Sequence, residues 1–216
     1  MLTQNSMLHK SPKIIPPLTL ELLQTLQADT KLSNHFLVGG TALALQMGHR
    51  LSIDLDLFTT TPFNVEPLHN YLIEQYNFAV DKIGINTLIG SISGIKTDFI
   101  THAYPLVNPL IIEDSMRMAS MTDIAAMKLN AISLSGQRLK DFIDIYFLLE
   151  IMPLNLMLDA YEVKYNNSNP AIPLKALVYF EDIDFGADLP IMVKKMTTEN
   201  MKKRLTAAVK KPYSVF

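Results

Sequence analysis

The sequence predicts an α+β protein: a small mixed, mainly antiparallel sheet with helices over residues 1–120, followed by a helical region over residues 121–216 that packs on this core. Three observations carry the prediction. Short alternating or wholly apolar runs recur between residues 36 and 112, as strands do. Glycine, proline and asparagine punctuate those runs at turn spacing. After Ser120 the apolar residues recur at three- and four-residue intervals, as on a helix face.

Each element has its own signal. Residues up to about Pro16-Pro17 read as a loose lead-in. Leu20, Leu22, Leu23, Leu26 and Leu32 make a helical stripe, with Thr19 as cap and Glu21 as a favourable first-turn charge. Phe36-Leu37-Val38 is a short buried strand, and Gly39-Gly40 turns the chain into a helix over Thr41–Met47. Leu51 to Leu57 alternates strictly, which predicts a strand with Leu51, Ile53, Leu55 and Leu57 on one face and Ser52, Asp54 and Asp56 on the other. Val65–Tyr76 reads as a helix after the Thr61-Pro62-Phe63-Asn64 break. Asn77–Ile83, Thr87–Ile92 and Ile95–Ile100 read as strands joined near Gly84 and Gly94, and Pro105 and Pro109 precede the apolar run Leu110-Ile111-Ile112. Thr122-Asp123 opens a helix over Ile124–Ser133, and Leu139–Leu149 carries a further stripe at Phe142, Ile145, Tyr146 and Leu149. Glu181–Pro190 is acidic, turn-rich and read as a loop.

The segment from Phe36 to Phe58 carries the chemistry. Glycine permits positive φ and lets a ligand approach the backbone closely. The turn offers free N–H groups at a helix N-terminus, where anions bind. Asp54 and Asp56 lie roughly 6.5–7 Å apart along a strand, so their carboxylates can lean toward one point. Two like charges held that close repel unless a cation lies between them, and hard divalent cations suit oxygen donors. Phosphate on the amides beside metal on the carboxylates is what phosphoryl or nucleotidyl transfer requires. Taken singly, a Gly-Gly is an ordinary turn and an Asp-x-Asp an ordinary solvated strand face. Their fixed order raises the functional reading above both.

At these residues the chain resembles the nucleotidyltransferases of the DNA polymerase β superfamily, and within it the AbiEii/AbiGii toxin family. The matching motifs are Gly39-Gly40-Thr41-Ala42-Leu43-Ala44-Leu45, Gly48-His49-Arg50-Leu51-Ser52 and Asp54-Leu55-Asp56-Leu57-Phe58. A second block comprises Lys128-Leu129-Asn130-Ala131 and Arg138-Leu139-Lys140-Asp141-Phe142-Ile143-Asp144-Ile145-Tyr146. The resemblance spans roughly Asn34 to Glu150 and implies a polymerase β-like nucleotidyltransferase fold.

It further implies that Asp54 and Asp56 hold Mg²⁺, with Asp98 of Ile95-Lys96-Thr97-Asp98 as the third carboxylate, either a metal ligand or the group that activates the acceptor hydroxyl. Gly39, Gly40 and Thr41 are then the nucleotide-binding elbow. Lys128 and Asp141 belong to the active site by the same resemblance, with Lys128 suited to a triphosphate as a point charge. Arg50, Ser52, Arg138 and Asp144 are further nucleotide-binding candidates. Against that, Arg138, Asp141 and Asp144 also fit a plain ion-pair ladder on one helix face, and Ser52 a solvated strand position. His49 reads more readily as structural. The implied substrates are an NTP and an acceptor, tRNA or another RNA. The implied partner is a cognate antitoxin. A retired fold that binds NTP or a partner without chemistry, and transfer to an antibiotic or sugar hydroxyl, remain as alternatives.

Composition limits the rest. In 216 residues, 49% are hydrophobic, enough for a real core and against disorder. Nineteen basic residues face 21 acidic ones, a formal charge of −2, so any nucleic-acid binding must come from a local patch. Lys194, Lys195, Lys202, Lys203, Arg204, Lys210 and Lys211 form such a patch, read chiefly as a solvated basic face. The absence of cysteine excludes disulfides, thiolate metal sites and cysteine nucleophiles, and fits a reducing interior. With no signal segment and no long apolar run, a cytoplasmic protein without membrane contact is expected.

Overall fold

A computed structural model describes residues 8–166, 168–186 and 189–216. Residues 1–7, the first part of the expected lead-in, and residues 167, 187 and 188 lie outside the described ones. The chain divides into two compact units: residues up to Tyr104 with Leu110–Ala119, and Pro105–Pro109 with Ser120–Phe216.

The first unit holds a seven-stranded sheet. Its strands are β1 (Phe36–Leu37), β2 (Leu55–Thr59), β3 (Ala79–Gly84), β4 (Thr87–Ile92), β5 (Ile95–Thr101), β6 (Ile111–Glu113) and β7 (Met116–Met118), in spatial order β3-β4-β5-β2-β1-β7-β6. Four pairings are antiparallel and two, β2–β5 and β1–β7, are parallel. The hairpins follow turn chemistry. Ser93-Gly94 joins β4 to β5 with both residues at positive φ, the primed turn that matches strand twist. Asp114-Ser115 does the same between β6 and β7. Strand β7 is absent from the sequence reading, although that two-residue turn after an apolar run is its signal.

Helices α1 (Pro17–Ala28), α2 (Gly39–Met47) and α3 (Val65–Tyr76) belong to the same unit. Pro17 opens α1, where a missing N–H costs nothing, so Thr19 is not the cap but a buried residue inside the helix. Asn64 caps α3 by accepting from the Glu66 N–H, and Asn77 ends it in the left-handed conformation. The described part of the lead-in is not loose. Leu8, Ile14 and Ile15 are buried, the His9 N–H donates to the Leu45 carbonyl, and the Ser52 N–H donates to the Ile14 carbonyl.

Those bonds correct the strand expected over Leu51–Leu57. Regular pairing starts only at Leu55. The Ser52 amide is taken by the N-terminal segment, and the Asp54 carbonyl accepts from the Thr41 hydroxyl at 2.5 Å. Backbone groups used this way cannot join a ladder. Ile53 is 52% exposed rather than sharing the buried face of Leu55 and Leu57.

The second unit holds α4 (Met121–Leu134), α5 (Leu139–Leu148), α6 (Leu154–Lys164), α7 (Ala171–Ala176) and α8 (Thr198–Lys210). Ser120 caps α4: its Oγ accepts from the Asp123 N–H at 3.0 Å and donates to Asp123 Oδ2 at 2.7 Å. Ile124, Leu129, Phe142, Ile145, Leu154 and Met157 are buried, each contributing roughly 1.5–3 kcal/mol. Asp123 also accepts from the Val107 and Asn108 amides and from Lys164 Nζ at 2.9 Å, and this fully buried acid ties Pro105–Pro109 into the helical unit. Much of the basic patch is engaged on its own unit. Arg204 bonds Glu150 and lies over the Tyr146 ring, Lys194 pairs with Glu150, and Lys202 sits over Phe180 and Phe185.

No described helix is long and apolar enough to cross a membrane.

Candidate active site

The site starts where β1 hands the chain to α2. Val38 is extended, and its N–H donates to the Asp56 carbonyl at 2.9 Å. Gly39 then takes φ +70, a conformation that costs other L-residues roughly 1–2 kcal/mol. A Cβ there would meet Asp56 Oδ2 at 2.5 Å, so the bare glycine is what lets the carboxylate lie against the elbow. A Cβ on Gly40 would run into the Arg50 guanidinium. Both glycines sit in the first turn of α2, where helix geometry leaves the leading amides without intrahelical partners.

Thr41 and Ser52 hold the far side. Their hydroxyl oxygens are 2.9 Å apart, both buried, and the Thr41 hydroxyl also fixes the Asp54 backbone. Arg50 is 3% exposed, with its Nη1 donating to the Leu51 carbonyl at 3.2 Å. His49 is fully buried.

The acidic residues come from two neighbouring strands. Asp56 on β2 and Asp98 on β5 are direct partners in the parallel register. Partner residues of adjacent strands, roughly 4.8 Å apart, project to the same face. Asp54 stands just before β2, and its charge acts on Asp98. Asp98 is 5% exposed, its Oδ1 has no hydrogen-bond partner, and its Oδ2 lies 3.4 Å from Lys96 Nζ. Burial raises the Asp98 carboxyl above the usual carboxylate range, the Lys96 ammonium opposes that rise, and the Asp54 charge adds to it. Lys96 is not among the residues singled out from sequence. Its signal was there, since it lies two positions from Asp98 on the same strand face.

Thus Gly39, Gly40, Thr41, Arg50, Ser52, Asp54, Asp56 and Asp98 are neighbours in the sheet-bearing unit. The donor chemistry suits a hard divalent cation: carboxylates only, one oxygen buried and unpartnered. As they stand, no three His, Asp or Glu side chains among the described residues are gathered at metal-holding spacing.

Lys128, Arg138, Asp141 and Asp144 belong to the helical unit. Lys128 Nζ lies 2.6 Å from Asp141 Oδ1 and 2.8 Å from Asp144 Oδ2, with side-chain exposures of 9%, 4% and 0%. This is a buried triad rather than a surface ladder. Arg138 stays outside it, 70% exposed and 3.9 Å from Asp141.

The chain belongs to the AbiEii family of nucleotidyltransferases. The family model, described as nucleotidyl transferase AbiEii toxin of type IV toxin–antitoxin systems, matches residues 21–107 and 90–211. An uncharacterized protein of Aquifex aeolicus (strain VF5), aq_aa25, is 36% identical over 162 residues, covering 69% of this chain and 75% of the relative. The fold is that of solved nucleotidyltransferases. MenT4, the nucleotidyltransferase toxin Rv2826c of Mycobacterium tuberculosis H37Rv, superimposes with a TM-score of 0.61 at 13% identity, covering 89% of this chain and 81% of that one. JHP933 of Helicobacter pylori superimposes with a TM-score of 0.54 at 18% identity, covering 91% and 92%.

Proposed function

We propose that this nucleotidyltransferase moves a nucleotide from an NTP to an acceptor hydroxyl, with Asp54 and Asp56 holding Mg²⁺ and Asp98 beside them as the proton acceptor. Asp54 and Asp56 would hold the divalent ion, which when bound would supply charge neutralisation at the transferring phosphate. The observation that carries the reading is the in-register pairing of Asp56 with Asp98 beside the Gly39-Gly40 elbow.

The elbow amides receive phosphate oxygens, and the Arg50 guanidinium packed against Gly40 adds positive charge to the same turn. Thr41 and Ser52 fix the approach to Asp54, so the acid keeps its direction. Asp98 is the proton acceptor in this reading. A buried carboxylate with a raised pKa is a stronger base than a solvated one. The acceptor oxygen bonds to the α-phosphorus, its proton passes to Asp98, and the bond to the pyrophosphate leaving group breaks. Lys128 and Asp141 act as a fixed pair, with Asp144 holding Lys128 from its other side.

We assign tRNA as the acceptor, the cytoplasm as the place of action and a cognate antitoxin as the controlling partner. The family supports the toxin class, and these finer assignments rest on the resemblance.

The test is transfer from each of four labelled NTPs to total tRNA, with Mg²⁺ and with EDTA, for the unaltered chain and Asp56→Asn. Labelled RNA that needs Mg²⁺ and vanishes with Asp56→Asn, at unchanged thermal stability, is expected. Undiminished transfer by the variant would overturn the metal-site assignment. NTP binding without product from any acceptor would favour the retired-fold alternative.

A further inference from the structure

The sheet face that carries Asp98 continues past the acidic pair onto β4 and β3, a stretch with no part yet in the proposed reaction. Ser91 of β4 pairs with Lys96 of β5. Continuing that register toward the Leu88–Phe99 pair sets Ile89 opposite Asp98. On β3, Lys82 pairs with Ile89. Cross-strand partners project to the same side of a sheet. Lys82, Ile89, Asp98 and Asp56 therefore stand in one row across β3, β4, β5 and β2, with Ser91 and Lys96 in the neighbouring row.

Lys82 reaches this face through an irregularity. Val80 pairs with Gly90, which is buried on the opposite face with Leu88 and Ile92. Strict alternation from Val80 would turn Lys82 to that same covered face. The register instead slips between Val80 and Lys82, Asp81 is left without a partner on β4, and Lys82 comes round to the side of Asp98. Bulges are commonest at sheet edges and beside active sites, where they re-aim a side chain. β3 is an edge strand, and a lysine there also discourages pairing with another sheet. That task is indifferent to the face on which the lysine lies.

Both lysines are open to solvent. Lys96 is 53% exposed with its ammonium 3.4 Å from Asp98 Oδ2, and Lys82 is exposed. Ile89 and Ser91, between them, are half-buried. Lys82 lies two strands from Asp98, roughly 10 Å at Cα. An acceptor whose hydroxyl gives its proton to Asp98 thus has its next groups over Lys96, and those beyond over Lys82. A backbone of regularly spaced phosphates meets both ammonium groups as point charges. A cationic sugar acceptor would be repelled by the same pair.

We propose that this open β3–β4–β5 face is the acceptor track, on which Lys96 and Lys82 contact successive phosphates of a single-stranded RNA end whose terminal hydroxyl lies at Asp98. The inference rests on the reading of Asp98 as the group that takes the acceptor's proton.

The test titrates fluorescently labelled total tRNA into the full chain at several salt concentrations without NTP, and measures transfer to the same tRNA alongside. Lys82→Met should weaken tRNA binding about tenfold and lower the slope of log K against log salt by about one, at unchanged thermal midpoint. Lys82→Arg, which keeps the charge, should restore both. Lys96→Met should raise the KM for tRNA and also lower kcat, because its ammonium faces Asp98. Lys31→Met, an exposed lysine outside the track, should change neither binding nor slope. Binding indifferent to Lys82→Met, or weakened equally by Lys31→Met, would overturn the proposal whether or not label is transferred. The expected losses of binding without transfer by the unaltered chain would support the track and overturn the transfer reading instead.

Discussion

Replacing Lys128 with methionine takes an ammonium away from two buried carboxylates at once. The ammonium stands 2.6 Å from Asp141 and 2.8 Å from Asp144, whose side chains are 4% and 0% exposed. Removing one partner of a buried ion pair costs roughly 3–5 kcal/mol, because the charge left behind keeps its desolvation without compensation. Arg138 offers little relief: it is 70% exposed and 3.9 Å from Asp141, and solvent-screened pairs are worth about 0–1 kcal/mol. Against a typical total of about 5–15 kcal/mol, the loss is severe. Urea unfolding followed by circular dichroism should show a midpoint lowered by about 2 M, given slopes of about 1–3 kcal/mol/M. The companion variant Lys128→Met/Asp141→Asn/Asp144→Asn removes the stranded charges together and should regain most of the loss. A loss below about 1 kcal/mol for Lys128→Met alone, or no recovery in the triple variant, would refute the electrostatic account.

Gly39→Ala should cost about 1–2 kcal/mol through its positive φ. It should also cut transfer about a hundredfold by displacing the Asp56 carboxylate, measured as initial rate against thermal midpoint. His35 has a folded pKa of about 4 against an ordinary 6.5. Its contribution is therefore intact above pH 6.5 and lost as pH falls toward 4, in total about 3 kcal/mol. Unfolding of His35→Phe across that window should be correspondingly less pH-dependent, and parallel profiles for the two proteins would contradict this. Asp123→Ala should destabilise by about 3–5 kcal/mol, since it strands the fully buried Lys164 ammonium; chemical denaturation measures it.

Local pattern made much of this fold legible. Alternation and turn residues place β4 and β5 almost to the residue, and Asn64 marks the start of α3. The elbow and its aspartates could be read because glycine and carboxylate chemistry is written in residue type. What escaped depends on distant partners. Asp54 lies outside β2 because Ile14 and Thr41 take the backbone around it, and alternation cannot report that. Lys164 looks like an ordinary helix-end lysine until Asp123 is found beside it. Whether Asp141 and Asp144 form a surface ladder or a buried triad turns on Lys128, which lies on another helix.

The parallel pairing of β2 with β5 has a consequence for the timing of synthesis. Asp56 and Asp98 meet only after the whole β3–β4–β5 meander has been made and has turned back along β2. Pairings that close over such a span form slowly, because the chain loses its freedom before the contacts reward it. A ribosome still translating the early meander therefore carries the glycine turn with Asp54 and Asp56 but without Asp98.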